Sequence, residues 1–187
     1  MKYGILLPTG DEIRNGTVLD TDSPSIMERI LRAFPDAQVC RMPPQPDDAG
    51  VISEKIRELV LAQPDLIVLI GGSGGGHRYS STLGKDFTHS ALENRLSPVY
   101  SREIYGKNGH LWTKLVCGKW GNTLVVNVPG PYVEACAAAE ALVETLCAGK
   151  GLNEVNQAMA EAVLRQYPGA EKEGEYQWRC TADFAES

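Results

Sequence analysis

Unbroken apolar runs alternate along the chain with segments in which apolar residues recur every three or four positions. Residues 66–70 (LIVLI) are apolar throughout, as in a strand covered on both faces. The pattern predicts strands over residues 2–7, 37–42, 66–70, 111–117 and 123–128. It predicts helices over residues 22–34, 47–60, 87–96, 131–147 and 153–166. Residues 11–23 are predicted to form a loop with a brief strand at 17–19, and 111–117 also fits the end of a helix.

The order of these elements indicates the fold class. Strands that alternate with helices are typical of an α/β domain with a mostly parallel sheet, and right-handed crossovers place helices on both of its faces. With 187 residues, 43% hydrophobic and 22% charged, the chain fits one compact domain with a real core. We expect residues 1–150 to form the α/β domain, and residues 151–187 to add a C-terminal helix and a charged tail that pack on it.

Charge and cysteine usage narrow the function classes. The net charge of -6 argues against a nucleic-acid partner, which would need basic stripes. No apolar run reaches 18 residues and the first ten residues are too quickly broken for a signal peptide, so we expect no membrane segment and a cytoplasmic location. The five cysteines form no CxxC pair and are interpreted as reduced thiols. The three histidines also lack ligand spacing, so no zinc site is predicted.

Unusual residues follow three of the predicted strands. Thr9-Gly10-Asp11-Glu12 follows the first, the glycine turn (residues 71–76, GGSGGG) follows the third, and Pro129-Gly130 follows the strand at 123–128. The carboxyl ends of parallel strands meet at one edge of a sheet, where such folds bind ligands. We therefore expect these three segments to form one site.

The glycine turn is predicted to bind an anionic oxygen. Glycines leave backbone N–H groups bare and let a ligand approach closely. Arg78 and His77 add positive charge, and the Ser73 and Ser80 hydroxyls add donors. A flexible turn without a ligand is the alternative. The pattern is neither GxGxxG nor GxxxxGK[ST], and no GxSxG nucleophile elbow with a partnered His can be assigned.

Acidic residues supply the other candidate chemistry. Asp11 and Glu12 would hold Mg²⁺ or accept a hydrogen bond from a ligand, and loop solvation or capping is the alternative for both. Asp20 is interpreted in the same way. Asp22 is predicted to cap the helix that continues through Pro24.

Several of these segments resemble the molybdenum cofactor biosynthesis family, the probable molybdopterin-binding domain. Residues 65–74 (DLIVLIGGSG) resemble its strand and GGTG loop, and residues 124–131 (LVVNVPGP) resemble its late strand and Pro-Gly turn. Thr113-Lys114 and Gly118 are similar to the Ser-Arg and Gly of the molybdopterin adenylyltransferase branch. Residues 10–13 with 16–21 (GDEI, GTVLDT) resemble the start of the molybdenum insertion and competence/damage-inducible branches. The likeness spans about residues 3–148.

The resemblance implies a three-layer αβα fold that binds molybdopterin or molybdenum cofactor by its terminal phosphate. It also implies a role in molybdenum cofactor biosynthesis or handling, and a homotrimer. The expected ligand-binding residues are Thr9, Gly10, Asp11, Glu12, Asp20, Gly71, Gly72, Ser73, Gly74, Gly75, Gly76, Arg78, Ser80, Pro129 and Gly130.

Two residues depart from the family pattern. Tyr79 stands where the adenylyltransferase branch has a catalytic Asp, and a tyrosine cannot replace a carboxylate as a Mg²⁺ ligand at neutral pH. Asp22 stands where the other branches have Asn. The activity is therefore left open between Mg²⁺-dependent adenylyl transfer and binding alone. A nucleotide-pyrophosphate hydrolase of the damage-inducible type and a non-catalytic oligomeric scaffold are the alternatives.

Overall fold

A computed structural model describes residues 1–74, 88–106, 109 and 111–167, together with the backbone of residues 176–183. Its strands are β1 (Tyr3–Pro8), β2 (Gln38–Arg41), β3 (Leu66–Ile70), β4 (Val99–Gly106), β5 (Leu111–Trp120), β6 (Thr123–Val128) and β7 (Tyr176–Asp183). Its helices are α1 (Asp11–Arg14), α2 (Asp22–Ala33), α3 (Ala49–Val60), α4 (Thr88–Glu93), α5 (Tyr132–Cys147) and α6 (Leu152–Leu164).

The strands form one sheet in the order β2-β1-β3-β6-β5-β4-β7. Neighbours from β2 to β6 are parallel, whereas β5, β4 and β7 are joined by antiparallel pairing. Five of these seven strands consequently run in one direction. The predicted α/β class with a mostly parallel sheet is confirmed.

Helices cover both faces of the sheet because successive residues of a strand point to opposite sides. Leu6 and Val68 lie in a core with α2, α5 and α6, whereas Ile5, Ile67 and Leu69 lie in a second core with α3 and α4. Both faces are apolar, which explains why β3 has no polar position. The three layers agree with the expected αβα arrangement.

The antiparallel half of the sheet is where the sequence prediction failed. No strand was predicted at β4, and the charged tail was not expected to contain β7, which pairs along the whole of β4. At β4, Arg102 occupies a buried position and breaks the apolar alternation. Asn153 and Asn156 of α6 accept hydrogen bonds from this guanidinium at 2.8 and 2.7 Å, so the cation is tolerated inside.

The segment after β1 also differs from the prediction. Residues 11–14 form the short helix α1 instead of a loop, and residues 17–19 form no strand. Val18 and Leu19 are exposed there and pair with no neighbouring strand, so their apolar character alone misled the prediction. Residues 111–117 belong to β5 and not to a helix end. None of the helices in the described ranges is long and apolar enough to cross a membrane.

Candidate functional site

The ends of β1, β3 and β6 meet at one edge of the sheet, which we call the carboxyl edge. The Thr9 amide donates to the Ile70 carbonyl at 2.8 Å, and the Gly71 amide donates to the Val128 carbonyl at 3.1 Å. A Cβ placed on Gly130 would lie 3.7 Å from the Cα of Gly71. The three segments singled out in the sequence are therefore in contact.

Close packing explains the first two glycines of the turn. Gly71 and Gly72 have φ of 98° and 62°, which side-chain-bearing residues rarely adopt. A Cβ on Gly71 would lie 2.9 Å from the Thr9 carbonyl oxygen, and one on Gly72 would lie 2.1 Å from Thr88 Oγ1. These two glycines let the turn pack against the residue after β1 and the first residue of α4.

The backbone amides of the turn are only partly used by the protein. Gly71 donates to β6, but no residue in the described ranges accepts a hydrogen bond from the amides of Gly72, Ser73 or Gly74. Ser73 is buried, and its hydroxyl accepts a hydrogen bond from Thr113 Oγ1 at 3.1 Å. A hydroxyl that accepts one hydrogen bond keeps its own proton to donate. The predicted residues Gly75, Gly76, Arg78 and Ser80 lie outside the described residues.

The contacts of Thr9 connect elements of the fold. Its side chain is buried, and its hydroxyl lies 3.1 Å from the Ile70 carbonyl and 3.2 Å from Thr88 Oγ1. Thr9 thus ties β1 to β3 and to α4. Gly10, the next predicted residue, is the N-cap of α1, and the predicted residues Asp11 and Glu12 are the first two residues of this helix at the carboxyl edge.

Asp47 is an acidic residue of the carboxyl edge that the sequence prediction missed. Gln45 accepts a hydrogen bond from the Gly10 amide at 3.0 Å, and Asp47 Oδ2 accepts one from the Asp11 amide at 3.3 Å. The sequence did contain a signal for Asp47. A helix needs only one N-cap, and Asp48 fills that role in α3 by accepting from the Val51 amide, so the neighbouring Asp47 could serve another purpose. No three His, Cys, Asp or Glu side chains in the described part of the chain are grouped so that they could hold a metal ion.

The structure places Asp20 at the start of α2 and shows no contact between it and the described part of the glycine turn. Its carboxylate accepts from the Ser23 amide at 2.9 Å, from the Ser23 hydroxyl at 2.6 Å and from Arg41 Nε at 2.7 Å. Partial burial acts to raise the pKa of Asp20, but the hydrogen bonds from Ser23 and Arg41 outweigh it and lower this pKa. Asp20, one residue before the N-cap Thr21, therefore supplies the acceptor for an amide in the first turn of α2.

The prediction that Asp22 caps this helix was wrong. Asp22 is the first residue of α2 and makes no capping hydrogen bond, because Asp20 already accepts from the Ser23 amide. Burial, followed by the nearby charge of Asp20, raises the pKa of Asp22 to about 6. Asp20 and Ser23 also line an open groove of about 490 Å³ whose other walls are mainly apolar, among them Val18, Leu19 and Met27.

Asn127 joins the carboxyl edge to β5. The β5–β6 ladder extends only to the pair Cys117–Val126, and beyond it the fully buried Asn127 side chain spans the gap. Its Oδ1 accepts from the Val116 amide at 2.6 Å and its Nδ2 donates to the Lys114 carbonyl at 2.9 Å. The start of β5 is thereby held beside the glycine turn.

Comparisons with known proteins show the family and the fold of the chain. A family model described as the probable molybdopterin binding domain matches residues 5–148. The molybdopterin biosynthesis enzyme MoaB from Thermus thermophilus has a similar fold, with 23% identity, a TM-score of 0.61, and 81% of this chain and 99% of that chain covered. The molybdopterin biosynthesis Mog protein from Mycobacterium ulcerans is 22% identical, with a TM-score of 0.57 and coverage of 87% and 99%.

A third solved structure also has a similar fold. The tungsten cofactor synthesizing protein MoaB from Pyrococcus furiosus is 16% identical, with a TM-score of 0.58, and 87% of this chain and 98% of that chain are covered. At these identities the solved structures show a shared fold. The comparison with curated proteins gives no match.

Proposed function

The chain belongs to the probable molybdopterin-binding domain family, and on this basis we propose that it binds molybdopterin or molybdenum cofactor at the carboxyl edge. The proposed role is in molybdenum cofactor biosynthesis or handling. The ligand is a small pterin that carries a terminal phosphate, so the site must offer donors to an anion and acceptors to a ring.

The observation that carries the proposal is the set of amides at the glycine turn. The amides of Gly72, Ser73 and Gly74 follow a buried strand and donate to no acceptor in the described ranges. Consecutive backbone N–H groups of this kind form concavities that bind anionic oxygens. We assign the terminal phosphate to these amides, with Arg78 and Ser80 as further ligands from the sequence.

The acidic side of the carboxyl edge complements the ring of a pterin. A pterin presents N–H donors along one edge, and ionised carboxylates are acceptors only. Asp11, Glu12 and Asp47 lie together beside the end of β1, and we propose that they face this part of the ligand. Pro129 and Gly130 would form the floor between the two sides.

Fluorescence titration with molybdopterin tests the assignment. Gly74→Asp places a carboxylate beside the proposed phosphate, and like charges in contact should weaken binding by about tenfold or more. Asn122→Asp is the charge control, because it adds the same charge at the exposed turn between β5 and β6, remote from the carboxyl edge. Saturable binding by the unmodified chain and by Asn122→Asp, with loss in Gly74→Asp, is expected. Equal affinities in all three would reject the phosphate assignment.

The proposal concerns binding and does not include adenylyl transfer. Tyr79 stands where the adenylyltransferase branch has its catalytic Asp, and it lies outside the described residues. Incubation with ATP, Mg²⁺ and molybdopterin tests the transfer separately. An adenylylated product would add catalysis to the proposed function.

A further inference from the structure

A cluster of three charged side chains lies beside the glycine turn, and we call it the Lys114 triad: Lys114 of β5, Glu93 of α4 and Glu103 of β4. The Lys114 ammonium lies 2.6 Å from Glu93 Oε1 and 3.0 Å from Glu103 Oε1. Its side chain is only 12% exposed. Burial acts to lower the pKa of Lys114, but the hydrogen bonds that it donates to the two carboxylates outweigh burial and raise this pKa, so the amine stays charged.

The backbone of Lys114 holds the glycine turn. Its amide donates to the Ser73 carbonyl at 2.6 Å, and the preceding Thr113 hydroxyl donates to Ser73 Oγ. On the other side, its carbonyl accepts from Asn127. Lys114 therefore fixes the turn through its main chain and α4 through its side chain.

The helix that the triad holds is itself in contact with the turn. α4 begins at Thr88, whose hydroxyl lies 3.2 Å from that of Thr9, and Gly72 packs so closely on Thr88 that no Cβ fits between them. Glu93 is the last residue of this six-residue helix. A movement of α4 would therefore be transmitted directly to Gly72.

We propose that Lys114 is a positioning residue: the triad holds α4 and the glycine turn in place, and the ammonium does not bind the ligand. Two carboxylates already accept hydrogen bonds from this ammonium, so two of its three N–H donors are used inside the protein. The ligand part of this inference rests on the proposed function, whereas the positioning part concerns the unliganded chain.

Glu93→Gln distinguishes positioning from direct binding by the sign of its effect. Loss of the ion pair to α4 loosens the turn, so the affinity for molybdopterin should fall about three- to tenfold, the range expected for a partly buried pair. Direct contact between Lys114 and the phosphate predicts the reverse, because removal of one carboxylate makes the ammonium more available to an anion. Stronger binding by Glu93→Gln would overturn the proposal.

Two further variants complete the titration. Lys114→Arg keeps a cation that can pair with both carboxylates, and it should retain an affinity within about threefold of the unmodified chain. Glu28→Gln removes a carboxylate from an exposed i,i+4 pair on α2, so it should leave the affinity unchanged. A loss in Glu28→Gln as large as that in Glu93→Gln would show a general effect of charge and would also overturn the proposal.

Amide hydrogen exchange followed by NMR tests the positioning without any ligand. In Glu93→Gln the Gly71 and Lys114 amides, which tie the turn to β6 and β5, should exchange about three- to tenfold faster, while the Val68 amide in the middle of β3 should not change. Equal acceleration at all three amides, or none at Gly71 and Lys114, would reject the inference. If the unmodified chain fails to bind molybdopterin, the proposed function fails, and this exchange measurement still decides whether the triad positions the turn.

Discussion

Asp20 and Asp22 lie two positions apart at the start of α2 and have opposite environments. Asp20 is stabilised as a carboxylate by Ser23 and Arg41, whereas Asp22 is only 8% exposed and has the charge of Asp20 as its neighbour. The spacing in the sequence indicated a helix start but not which aspartate would cap it. The choice depends on Arg41, which comes from β2 and pairs with Asp20 only in the folded chain.

Replacement of Asp22 should stabilise the protein in a pH-dependent way. Its pKa is about 6 in the folded chain against an ordinary value of 3.8, so folding opposes ionisation. The free-energy cost of ionising the buried Asp22 carboxylate is absent below pH 4, grows between about pH 4 and 6, and reaches its full size above pH 6. The free energy of unfolding is therefore lowered as the pH rises through this range. Asp22→Asn should raise the free energy of unfolding at pH 7 by up to about 3 kcal/mol, and have little effect near pH 4.

Urea denaturation at pH 4 and pH 7 measures this difference. Asp36→Asn is the control, because it removes the same charge from an exposed turn. A gain for Asp22→Asn that is equal at both pH values, or a gain of the same size in Asp36→Asn, would show that burial of the Asp22 carboxylate is not the cause.

At the scale of elements, a helix or strand could be predicted from the sequence when apolar neighbours enclose it completely. β3 has two apolar faces and was predicted with its observed limits, and α5, rich in alanine and opened by Pro131, was predicted within a residue. β4 was missed because its inward positions include Ser101 and Arg102. Its strand character depends on partners in α6 and on pairing with β5 and β7, which no local pattern reveals.

Asn156 of α6 should be essential for this pairing of helix and sheet. It is fully buried, its Oδ1 accepts from Arg102 Nη1 at 2.7 Å and its Nδ2 donates to the Leu115 carbonyl at 3.0 Å. Asn156→Ala leaves a buried cation and a buried carbonyl without these partners, so the free energy of unfolding should fall by about 2–4 kcal/mol.

The urea midpoint of Asn156→Ala checks this expectation against Gln157→Ala. Gln157 is the next residue of α6 but lies on its exposed face, where its amide bonds only to Glu161. The Gln157 variant should lose less than about 0.5 kcal/mol. Similar losses in the two variants would mean that the polar contacts of Asn156 contribute nothing beyond helix propensity.

At the scale of the whole molecule, the sequence located the carboxyl edge but not the contacts that build it. The meeting of Thr9, Gly71 and Gly130 could be predicted because parallel strands end on the same side of a sheet. The contributions of Thr88, Asp47 and Lys114 could not, because each reaches the turn or the end of β1 from an element that is distant in sequence. The homotrimer expected from the family stays a prediction.

The family model ends at residue 148, yet the described chain continues into α6, which covers part of one core. Val155, Met159 and Val163 of α6 are almost fully buried, and such side chains contribute about 2 kcal/mol each, or about 6 kcal/mol against a typical total of about 5–15 kcal/mol. A chain of residues 1–150 should therefore lose its cooperative urea transition, whereas residues 1–167, which keep α6 but lack β7, should retain one. Circular dichroism during urea titration measures both. A cooperative transition of residues 1–150 at the midpoint of the full chain would show that α6 is an accessory and not part of the domain.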